Sequence, residues 1–415
     1  MTPSKLSVVV GGQLGSEGKG AVTAFLGSTA QNPDTRVYGV RVAGPNAGHT
    51  VLGNCPNDSD TRMTELCYQL HPQTNGMHPW RLRQVPVTAV SNPDSVLVLA
   101  AGSEVDPLVL VRELQQLDSA GYRASSRITL DAAATIIEPR HQQAEADAAL
   151  TERIGSTGKG IGAARQERLA RVARTVQDWS DELQRMDSAI DVLQEIVVGH
   201  TTTMLNQVLA ADENAHVLIE GTQGYGLGLH TSNYPQVTSS DCRAIDFLAM
   251  AGISPWVVDM TDPDRFAVWV VFRTYPIRVA GNSGPLHGET SWERLGLAAE
   301  LTTVTQKVRR VGDWDPALAQ AAVQANGGGL GTNLANVVHT ALTMADYIVP
   351  ELAGCTIDRY HELSDLVHVQ TYDLISRVGA DTRVMPSLVG TGPDTMIDLR
   401  GRNVNPDDRY QEVTA

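Results

Sequence analysis

The sequence predicts an α/β fold: a single large domain with a mostly parallel central sheet flanked by helices. Short apolar runs recur along the chain, and several are nearly continuous, as in strands that helices cover on both faces. Helical patterns lie between these runs. A glycine-rich loop joins the first apolar run to the first helical pattern, which is typical of phosphate-binding loops.

The predicted strands are residues 6–10, 96–100, 217–219, 256–258 and 267–272, and the predicted helices are residues 21–26, 106–120, 142–154 and 166–209. No internal repeat or linker marks a boundary, so residues 1–415 are expected to form one catalytic domain. The polar segment 54–61 is expected to be an exposed loop. The tail from about residue 403 is expected to be loose.

The charge balance argues against nucleic acid and membranes as partners. The chain has 32 basic and 47 acidic residues, and its net charge of −15 disfavours non-specific binding to DNA or to anionic lipid. It contains neither a cleavable leader pattern nor an apolar run of about twenty residues. The cysteines, which are Cys55, Cys67, Cys242 and Cys355, lack metal-ligand spacing. We therefore expect a cytoplasmic protein with free thiols.

Residues 11–20 form an unusual phosphate loop. They read Gly-Gly-Gln-Leu-Gly-Ser-Glu-Gly-Lys-Gly and follow a predicted buried strand, so backbone N–H groups and a helix N-terminus point at an anion. The spacing between Gly12 and Gly18 is one residue too long for a Walker loop. Gly20 stands where such a loop has its Mg-binding Ser or Thr.

A second turn-rich segment places the imidazole of His49 beside small residues, in Arg-Val-Ala-Gly-Pro-Asn-Ala-Gly-His-Thr-Val from Arg41. Together the two segments resemble the adenylosuccinate synthetase family, whose fold is related to P-loop folds. Its loop ends in Asp-Glu-Gly-Lys-Gly and is followed by Asn-Ala-Gly-His-Thr. In the family, the loop aspartate takes the proton from N1 of inosinate and touches Mg²⁺. Here Ser16 stands in its place.

The change to Ser16 is similar to the branch of this family encoded by viruses whose DNA carries 2-aminoadenine, and those enzymes join aspartate to dGMP. A guanine has a C2 amino group next to N1, and a carboxylate at this position would crowd it. A serine hydroxyl leaves room and can hydrogen-bond. We therefore interpret Ser16 as a specificity residue. If the chain is viral, its location is the host cytoplasm.

The resemblance also implies a nucleotide monophosphate site. Residues 154–164, Ile-Gly-Ser-Thr-Gly-Lys-Gly-Ile-Gly-Ala-Ala, would form a second glycine-rich anion site. There Thr157 would hold the 5′-phosphate, and Arg171 would reach it from the partner subunit of a homodimer. Asn46, Gln223 and Thr238 would complete the site. Taken alone, these segments also fit a structural interpretation as a loop with a solvated helix, a strand end and a turn.

A basic segment resembles the family's aspartate-binding loop. Residues 301–312 read Leu-Thr-Thr-Val-Thr-Gln-Lys-Val-Arg-Arg-Val-Gly, and Thr305, Lys307 and Arg309 offer donors for the two carboxylates of L-aspartate. Lys307 replaces a family arginine, which leaves contacts to the sugar open. The alternative is a solvated basic run.

The donor triphosphate site follows from further matches. Ala-Leu-Thr-Met-Ala-Asp, ending at Asp346, matches the segment with which family members read the donor base, but Met344 replaces the usual lysine. We favour ATP, with dATP and GTP left open. The implied triphosphate-binding residues are Gly15, Ser16, Glu17, Gly18, Lys19, Gly20, Gly48, His49, Thr50, Asp346, Gly390, Gly392 and Pro393. The resemblance places Mg²⁺ at Ser16 and at the Gly48 carbonyl.

The reaction implied by the family has two steps. The γ-phosphoryl group moves to O6 of the purine while Lys19, loop amides and Mg²⁺ neutralise its charge, and His49 lies near the charge that develops at O6. The aspartate amine then displaces phosphate from C6. The predicted catalytic residues are Ser16, Lys19 and His49. Two alternatives remain: an ordinary adenylosuccinate synthetase acting on IMP with GTP, and a purine nucleotide-binding regulator without turnover.

Overall fold

The computed structural model describes residues 4–28, 34–42, 44–54, 77–185, 191–302, 307–331 and 336–402. The strands are β1 Leu6–Gly11, β2 Arg36–Arg41, β3 His49–Gly53, β4 His78–Leu82, β5 Val96–Leu99, β6 Glu104–Val105, β7 Ile128–Asp131, β8 Thr135–Ile136, β9 Val197–Gly199, β10 Ala215–Glu220, β11 Phe266–Arg273, β12 Ile277–Arg278, β13 Arg310–Val311, β14 Val338–Thr343, β15 Pro386–Gly390 and β16 Met396–Asp398.

The helices are α1 Lys19–Gly27, α2 Thr88–Ser91, α3 Pro107–Ser119, α4 Pro139–Asp147, α5 Leu150–Ile154, α6 Ile161–Ala170, α7 Val176–Arg185, α8 Asp191–Glu195, α9 Thr201–Ala211, α10 Ala244–Ala251, α11 Pro316–Ala325, α12 Ile357–Tyr360 and α13 Asp365–Thr382. No helix within the described ranges is long and apolar enough to cross a membrane.

A sheet of ten described strands forms the centre of the molecule, in the order β16-β15-β14-β11-β1-β10-β2-β5-β7-β9. Every neighbouring pair is parallel except β15 and β16. The prediction of an α/β fold with a mostly parallel sheet is confirmed.

Helices cover both faces of this sheet. Val8 and Val10 of β1 belong to one buried cluster with Phe247 of α10, whereas Val9 belongs to a second cluster with Val22 of α1. Because successive side chains of a strand point to opposite faces, β1 is buried on both sides. This explains why its sequence is continuously apolar.

The strand order places the functional edge of the sheet. β1 lies between β10 and β11, with Val8 in register with Ile219 on one side and with Val268 on the other. Ligands of open parallel sheets bind in the crevice outside the carboxyl ends of the strands, where the strand order diverges. Arg41, Glu220 and Arg273 are the last residues of β2, β10 and β11 and therefore border this crevice.

Three predicted elements are wrong. Residues 256–258 are not a strand, because Pro255 begins a 3-10 turn, Pro255–Val257, and Ser254 accepts a hydrogen bond from the Trp256 N–H. Predicted helix 142–154 is two helices, α4 and α5, separated where Ala149 takes a left-handed φ of 49°. Of the predicted exposed loop 54–61, only residue 54 lies within the described residues. The predicted loose tail from about residue 403 lies outside them.

Predicted helix 166–209 is interrupted several times. α6 ends where Arg171 adopts a φ of 64°, and further along the chain β9 pairs with β7 in the central sheet. Sequence periodicity missed β9 because a strand of three residues is too short to show alternation.

Candidate active site

A cavity of about 240 Å³ opens at the carboxyl edge of the sheet, beside the loop that follows β1. It brings together nine of the predicted site residues, which are Gly15, Ser16, Asn46, Gly48, His49, Thr157, Gln223, Thr238 and Arg309. These residues come from segments up to 294 positions apart, from Gly15 to Arg309. The fold therefore assembles one pocket from the motifs.

The phosphate loop is held by a carboxylate of its own. The buried Glu17 side chain accepts hydrogen bonds from the backbone N–H groups of Gln13, at 3.1 Å, and Gly15, at 2.7 Å. It also pairs with the Lys19 ammonium at 2.6 Å. Loop N–H groups and the lysine, which the sequence assigns to phosphate, therefore bind the Glu17 carboxylate in this structure.

Two glycines of this loop are required by geometry. Gly18 has a φ of +82° and caps α1, a backbone conformation that residues with a Cβ rarely adopt. A Cβ at Gly20 would lie 2.9 Å from the His49 Cβ and 3.0 Å from the Thr50 carbonyl oxygen. Glycine at position 20, in place of the Walker hydroxyl residue, therefore lets α1 pack directly against β3, where His49 and Thr50 lie.

Ser16 lies on the cavity wall between two arginines. Its hydroxyl accepts a hydrogen bond from Arg309 Nη1 at 2.5 Å, and its backbone carbonyl accepts one from Arg273 Nη1 at 3.2 Å. Burial lowers the pKa of Arg309, although Glu300 opposes this shift. The basic segment 301–312, called the basic loop below, thus contacts the phosphate loop through Arg309 at the position where the family has its aspartate.

His49 is oriented by a buried ion pair. Its Nδ1 lies 2.5 Å from Glu220 Oε1, which also pairs with Arg41, and the second Glu220 oxygen accepts from the Val87 N–H at 2.9 Å. The short contact to a carboxylate assigns the proton to Nδ1, so that Nε2 carries the lone pair. Nε2 is buried and has no hydrogen-bond partner among the described residues.

The environment keeps the imidazole neutral. Burial, together with the nearby Arg41 charge, lowers the pKa of His49 to about 4, even though Glu220 opposes the shift. Burial also disfavours the ionised form of Glu220, but the Arg41 charge and the His49 hydrogen bond outweigh it and lower the pKa of Glu220. A neutral His49 next to an anionic Glu220 follows.

The second glycine-rich segment also receives an internal carboxylate. Glu145, from α4, accepts hydrogen bonds from the Gly160 and Gly162 N–H groups, both at 2.9 Å, at the start of α6. The anion site that the sequence predicts at these two amides is therefore filled by the protein. Thr157 and Glu145 itself remain on the cavity wall. Nothing in the sequence predicts that the Glu145 side chain contacts this loop.

Arg171 and the basic loop take different positions. The exposed Arg171 lies at the end of α6, outside the cavity of its own chain, and donates from Nη1 to the Leu169 carbonyl. Lys307 is exposed; its carbonyl accepts from the Thr302 N–H, and its own N–H donates to the Thr302 hydroxyl on the cavity wall. Thr305 lies outside the described residues.

The predicted donor residues lie farther along the same edge. The Thr343 hydroxyl, at the end of β14, donates to the Glu17 carbonyl at 2.7 Å, and Gly18 and Gly390 both pack against Thr343. Asp346 lies in the 3-10 turn Ala345–Tyr347, and burial raises its pKa. Gly392 and Pro393 follow β15 in a turn.

Several residues at this edge are invisible to motif reasoning. Arg273, Glu300 and Arg278 are charged and lie outside the quoted motifs, and each contacts a residue or segment of the site. The position of Arg273 as the last residue of a central strand was the available signal, because such positions border the crevice.

The adenylosuccinate synthetase family model matches residues 8–196 and 175–340. An adenylosuccinate synthetase of Thermococcus sibiricus is 34% identical over 398 residues, which cover 95% of this chain and 98% of that protein. The corresponding protein of Pyrococcus horikoshii is 35% identical over 399 residues, with 95% and 98% covered.

Two solved structures share the fold. Cyanophage S-2L succinoaminodeoxyadenylate synthetase, bound to dGMP and to dATP as an energy donor, has a TM-score of 0.67 and 24% identity, with 94% of this chain and 93% of that chain covered. The fully ligated adenylosuccinate synthetase from Plasmodium falciparum has a TM-score of 0.68 and 19% identity, with 95% and 100% covered. The chain therefore belongs to the adenylosuccinate synthetase family and is a ligase that joins aspartate to a purine nucleotide through a new C–N bond.

Proposed function

We propose that the purine nucleotide is dGMP and that the product is N6-succino-2-amino-2′-deoxyadenylate, a precursor for 2-aminoadenine DNA in a bacteriophage. One observation carries the proposal: Ser16, rather than a carboxylate, lies on the cavity wall. The fold shared with the cyanophage enzyme is compatible with this assignment. The family membership alone equally allows IMP.

The chemistry of position 16 favours guanine. The Ser16 hydroxyl has a hydrogen available to donate and a second lone pair to accept, while Arg309 already donates to it. The C2 amino group of guanine is a donor that a hydroxyl oxygen can accept, and the small side chain leaves space for it. An aspartate here would be larger and would draw Arg309 into an ion pair.

The nucleotide phosphate is assigned to the opposite end of the cavity. Thr157, Asn46 and Thr238 line the cavity, as does Gln223, which has a left-handed φ of 60° and packs against Gly15 of the phosphate loop. Arg171 is proposed to reach the same phosphate from the partner subunit of a homodimer. Its exposure at the end of α6 leaves its guanidinium accessible to a second chain.

His49 supplies the proton chemistry at the purine edge. Because its Nε2 lone pair faces no described partner, it can accept the N1 proton of the purine as O6 attacks the γ-phosphoryl group. The resulting imidazolium, held by Glu220, then lies beside the phosphorylated O6 and stabilises its charge. The Lys19 ammonium donates to Glu17 and to the Gly15 carbonyl, so its third N–H remains to contact the transferring phosphoryl group.

The aspartate amine then attacks C6, the C6–O6 bond breaks and inorganic phosphate leaves. Lys307 and Arg309 are proposed to bind the two carboxylates of aspartate, with Thr305 as a further donor. The Arg309 contact to Ser16 supports this assignment, because it puts the guanidinium beside the residue that is proposed to contact the purine. Binding of aspartate there would bring its amine toward C6.

The residues at the proposed Mg²⁺ position fit a site that substrate phosphates complete. Within the described part of the chain, no three His, Cys, Asp or Glu side chains form a metal-binding group. The Ser16 hydroxyl and the Gly48 carbonyl are neutral ligands, and Glu17 is engaged by Lys19. Mg²⁺ would supply charge neutralisation on the donor phosphates, which are its preferred ligands.

ATP is the proposed donor. The assignment is supported by Ser16, at which the chain resembles the viral branch of the family, because the cyanophage enzyme of similar fold is bound to dATP as an energy donor. dATP offers the same base edge. Met344 contributes no charge where the family pattern has lysine.

A single steady-state panel tests the proposal. dGMP, GMP and IMP are each combined with ATP, dATP and GTP, and aspartate-dependent phosphate release is measured. We expect the highest kcat/KM with dGMP and an adenine donor. Highest kcat/KM with IMP and GTP would instead identify an ordinary adenylosuccinate synthetase, and no turnover with any pair would favour a nucleotide-binding regulator.

A further inference from the structure

Arg273 is a buried arginine that lies at the active-site edge without lining the cavity. It ends β11, its residue is 1% exposed, and no motif accounts for it. Its backbone is bracketed by one side chain of the phosphate loop: Gln13 Oε1 accepts from the Arg273 N–H at 3.0 Å, and Gln13 Nε2 donates to the Arg273 carbonyl at 3.1 Å.

The guanidinium of Arg273 joins two loops. Nη1 donates to the Ser16 carbonyl at 3.2 Å and to Glu300 Oε2 at 3.2 Å, while Nη2 donates to Glu300 Oε1 at 2.5 Å. This two-pronged pairing holds the plane of the guanidinium in one orientation. The position of Ser16 is therefore defined by Arg273 as well as by its own loop.

Glu300 connects the same pair to the basic loop. Its backbone carbonyl accepts from the Arg309 N–H at 2.8 Å, and the Tyr347 hydroxyl donates to its carboxylate at 3.2 Å. Arg309 in turn donates to the Ser16 hydroxyl. Ser16 therefore accepts hydrogen bonds from both arginines, through its carbonyl from Arg273 and through its hydroxyl from Arg309. Glu300 binds both arginines as well, Arg273 through its carboxylate and Arg309 through its backbone carbonyl.

We propose that Arg273 is a positioning residue for Ser16. We also propose that its ion pair with Glu300 couples the phosphate loop, which carries Ser16, to the basic loop, which carries Arg309. This inference rests on the proposed role of Ser16 in contacting the purine. Arg273 contacts neither the cavity nor the reacting atoms, so it acts through the Ser16 backbone. The hydrogen bond from Arg273 to the Ser16 carbonyl fixes the backbone of Ser16, and the fixed backbone keeps the hydroxyl on the cavity wall.

A purely structural ion pair would behave differently on mutation. Losing it would lower stability and, through the smaller folded fraction, the apparent kcat, but it would leave both KM values unchanged. A positioning role predicts instead that the KM values for the purine nucleotide and for aspartate rise together, because both loops move. The selectivity between dGMP and IMP should also fall, because selectivity depends on where the Ser16 hydroxyl lies.

The test compares Glu300→Gln with Asp398→Asn. Asp398, on β16, is the control, because its side chain is 27% exposed against 25% for Glu300 and it also pairs with an arginine, Arg400. KM, kcat and Tm are measured for both variants. For Glu300→Gln we expect KM for both substrates to rise at least about tenfold and the kcat/KM ratio of dGMP to IMP to move toward one.

Asp398→Asn should lower Tm without changing either KM. Equal KM values in Glu300→Gln and the parent protein, at any Tm, would overturn the proposal. Tyr347→Phe provides a second variant should Glu300→Gln fail to fold, since it removes a single hydrogen bond from Glu300; a smaller rise in both KM values is expected, and unchanged values would count against the coupling. If IMP proves the better substrate, the KM comparison is made with IMP, so failure of the dGMP assignment is distinguished from failure of the coupling.

Discussion

Arg309 Nη1 lies 2.5 Å from the Ser16 hydroxyl oxygen, so the basic loop contacts the phosphate loop at the residue where the family resemblance predicts a carboxylate. This contact is between a cation and a neutral hydroxyl. It is therefore weaker than an ion pair and leaves Arg309 available to a carboxylate of the substrate. On the roles proposed for Ser16 and Arg309, the identity of residue 16 would affect the binding of both the purine nucleotide and aspartate.

Ser16→Asp is expected to shift nucleotide preference from dGMP toward IMP. The new carboxylate would crowd the C2 amino group of guanine but would meet only a hydrogen at C2 of hypoxanthine. We expect the ratio of kcat/KM for dGMP to that for IMP to fall at least about tenfold. Ser16→Ala removes the hydroxyl but adds no charge or bulk, so it should keep the space for the C2 amino group and lose only the part of the preference that the hydroxyl hydrogen bond supplies. Equal ratios in Ser16→Asp and the parent protein would reject the role of Ser16.

His49→Asn removes the Nε2 lone pair but keeps an amide N–H that can donate to Glu220 as Nδ1 does, so kcat is expected to fall by about 10²–10⁴-fold with a much smaller effect on Tm. With the pKa of His49 lowered to about 4, the imidazole of the free enzyme is neutral above that pH and loses its lone pair only below it. The acid limb of kcat/KM that depends on His49 should therefore lie near pH 4 rather than 6.5. A decrease of kcat/KM with rising pH near neutrality would mean that His49 must be protonated instead.

Mixing two inactive variants tests the proposed contribution of Arg171 across a dimer. Arg171→Ala lacks the guanidinium that is proposed to bind the nucleotide phosphate of the partner subunit. His49→Asn lacks the proposed proton acceptor. In a mixed dimer, one site combines the cavity of the Arg171→Ala chain, with His49 intact, and Arg171 from the other chain. We expect activity to appear on mixing under conditions that allow subunit exchange. No gain over the separate variants would show that Arg171 acts in its own subunit or not at all.

Acid should destabilise the fold through two buried histidines, His49 and His216, and the partly buried His339. Burial is the main reason that the pKa values of His49, His216 and His339 are each lowered to about 4. Between pH about 6.5 and about 4 the unfolded chain binds these protons and the folded chain does not, so stability present above pH 6.5 is lost as pH falls. The free energy of unfolding should decrease by up to about 4 kcal/mol per pH unit, at about 1.4 for each histidine.

Urea denaturation at a series of pH values measures this slope. His216→Gln provides the control, because His216 lies in β10 and contacts Ser7 rather than the cavity. Its slope should be about two-thirds of that of the parent protein. A free energy of unfolding that stays constant across this pH range would contradict the prediction.

The sequence by itself determined the fold class and the strand that carries the phosphate loop. β1, β5, β10 and β11 were all predictable, because strands buried on both faces are continuously apolar over several residues. The loop 11–20 was recognisable from its glycines and its place between a strand and a helix. Short strands such as β9, and the breaks within 142–154 and 166–209, were not predictable, because a left-handed residue or a three-residue strand leaves no periodic signal.

Only the tertiary structure decided how the motifs act together. Glu17 and Glu145 occupy backbone amides that motif reasoning assigns to substrate anions, and Glu220 sets the proton position on His49. Ser16 acquires its two arginine partners from residues more than 250 positions away. Local sequence carries no record of such partners, since contacts at the carboxyl edge depend on the order in which distant strands pair.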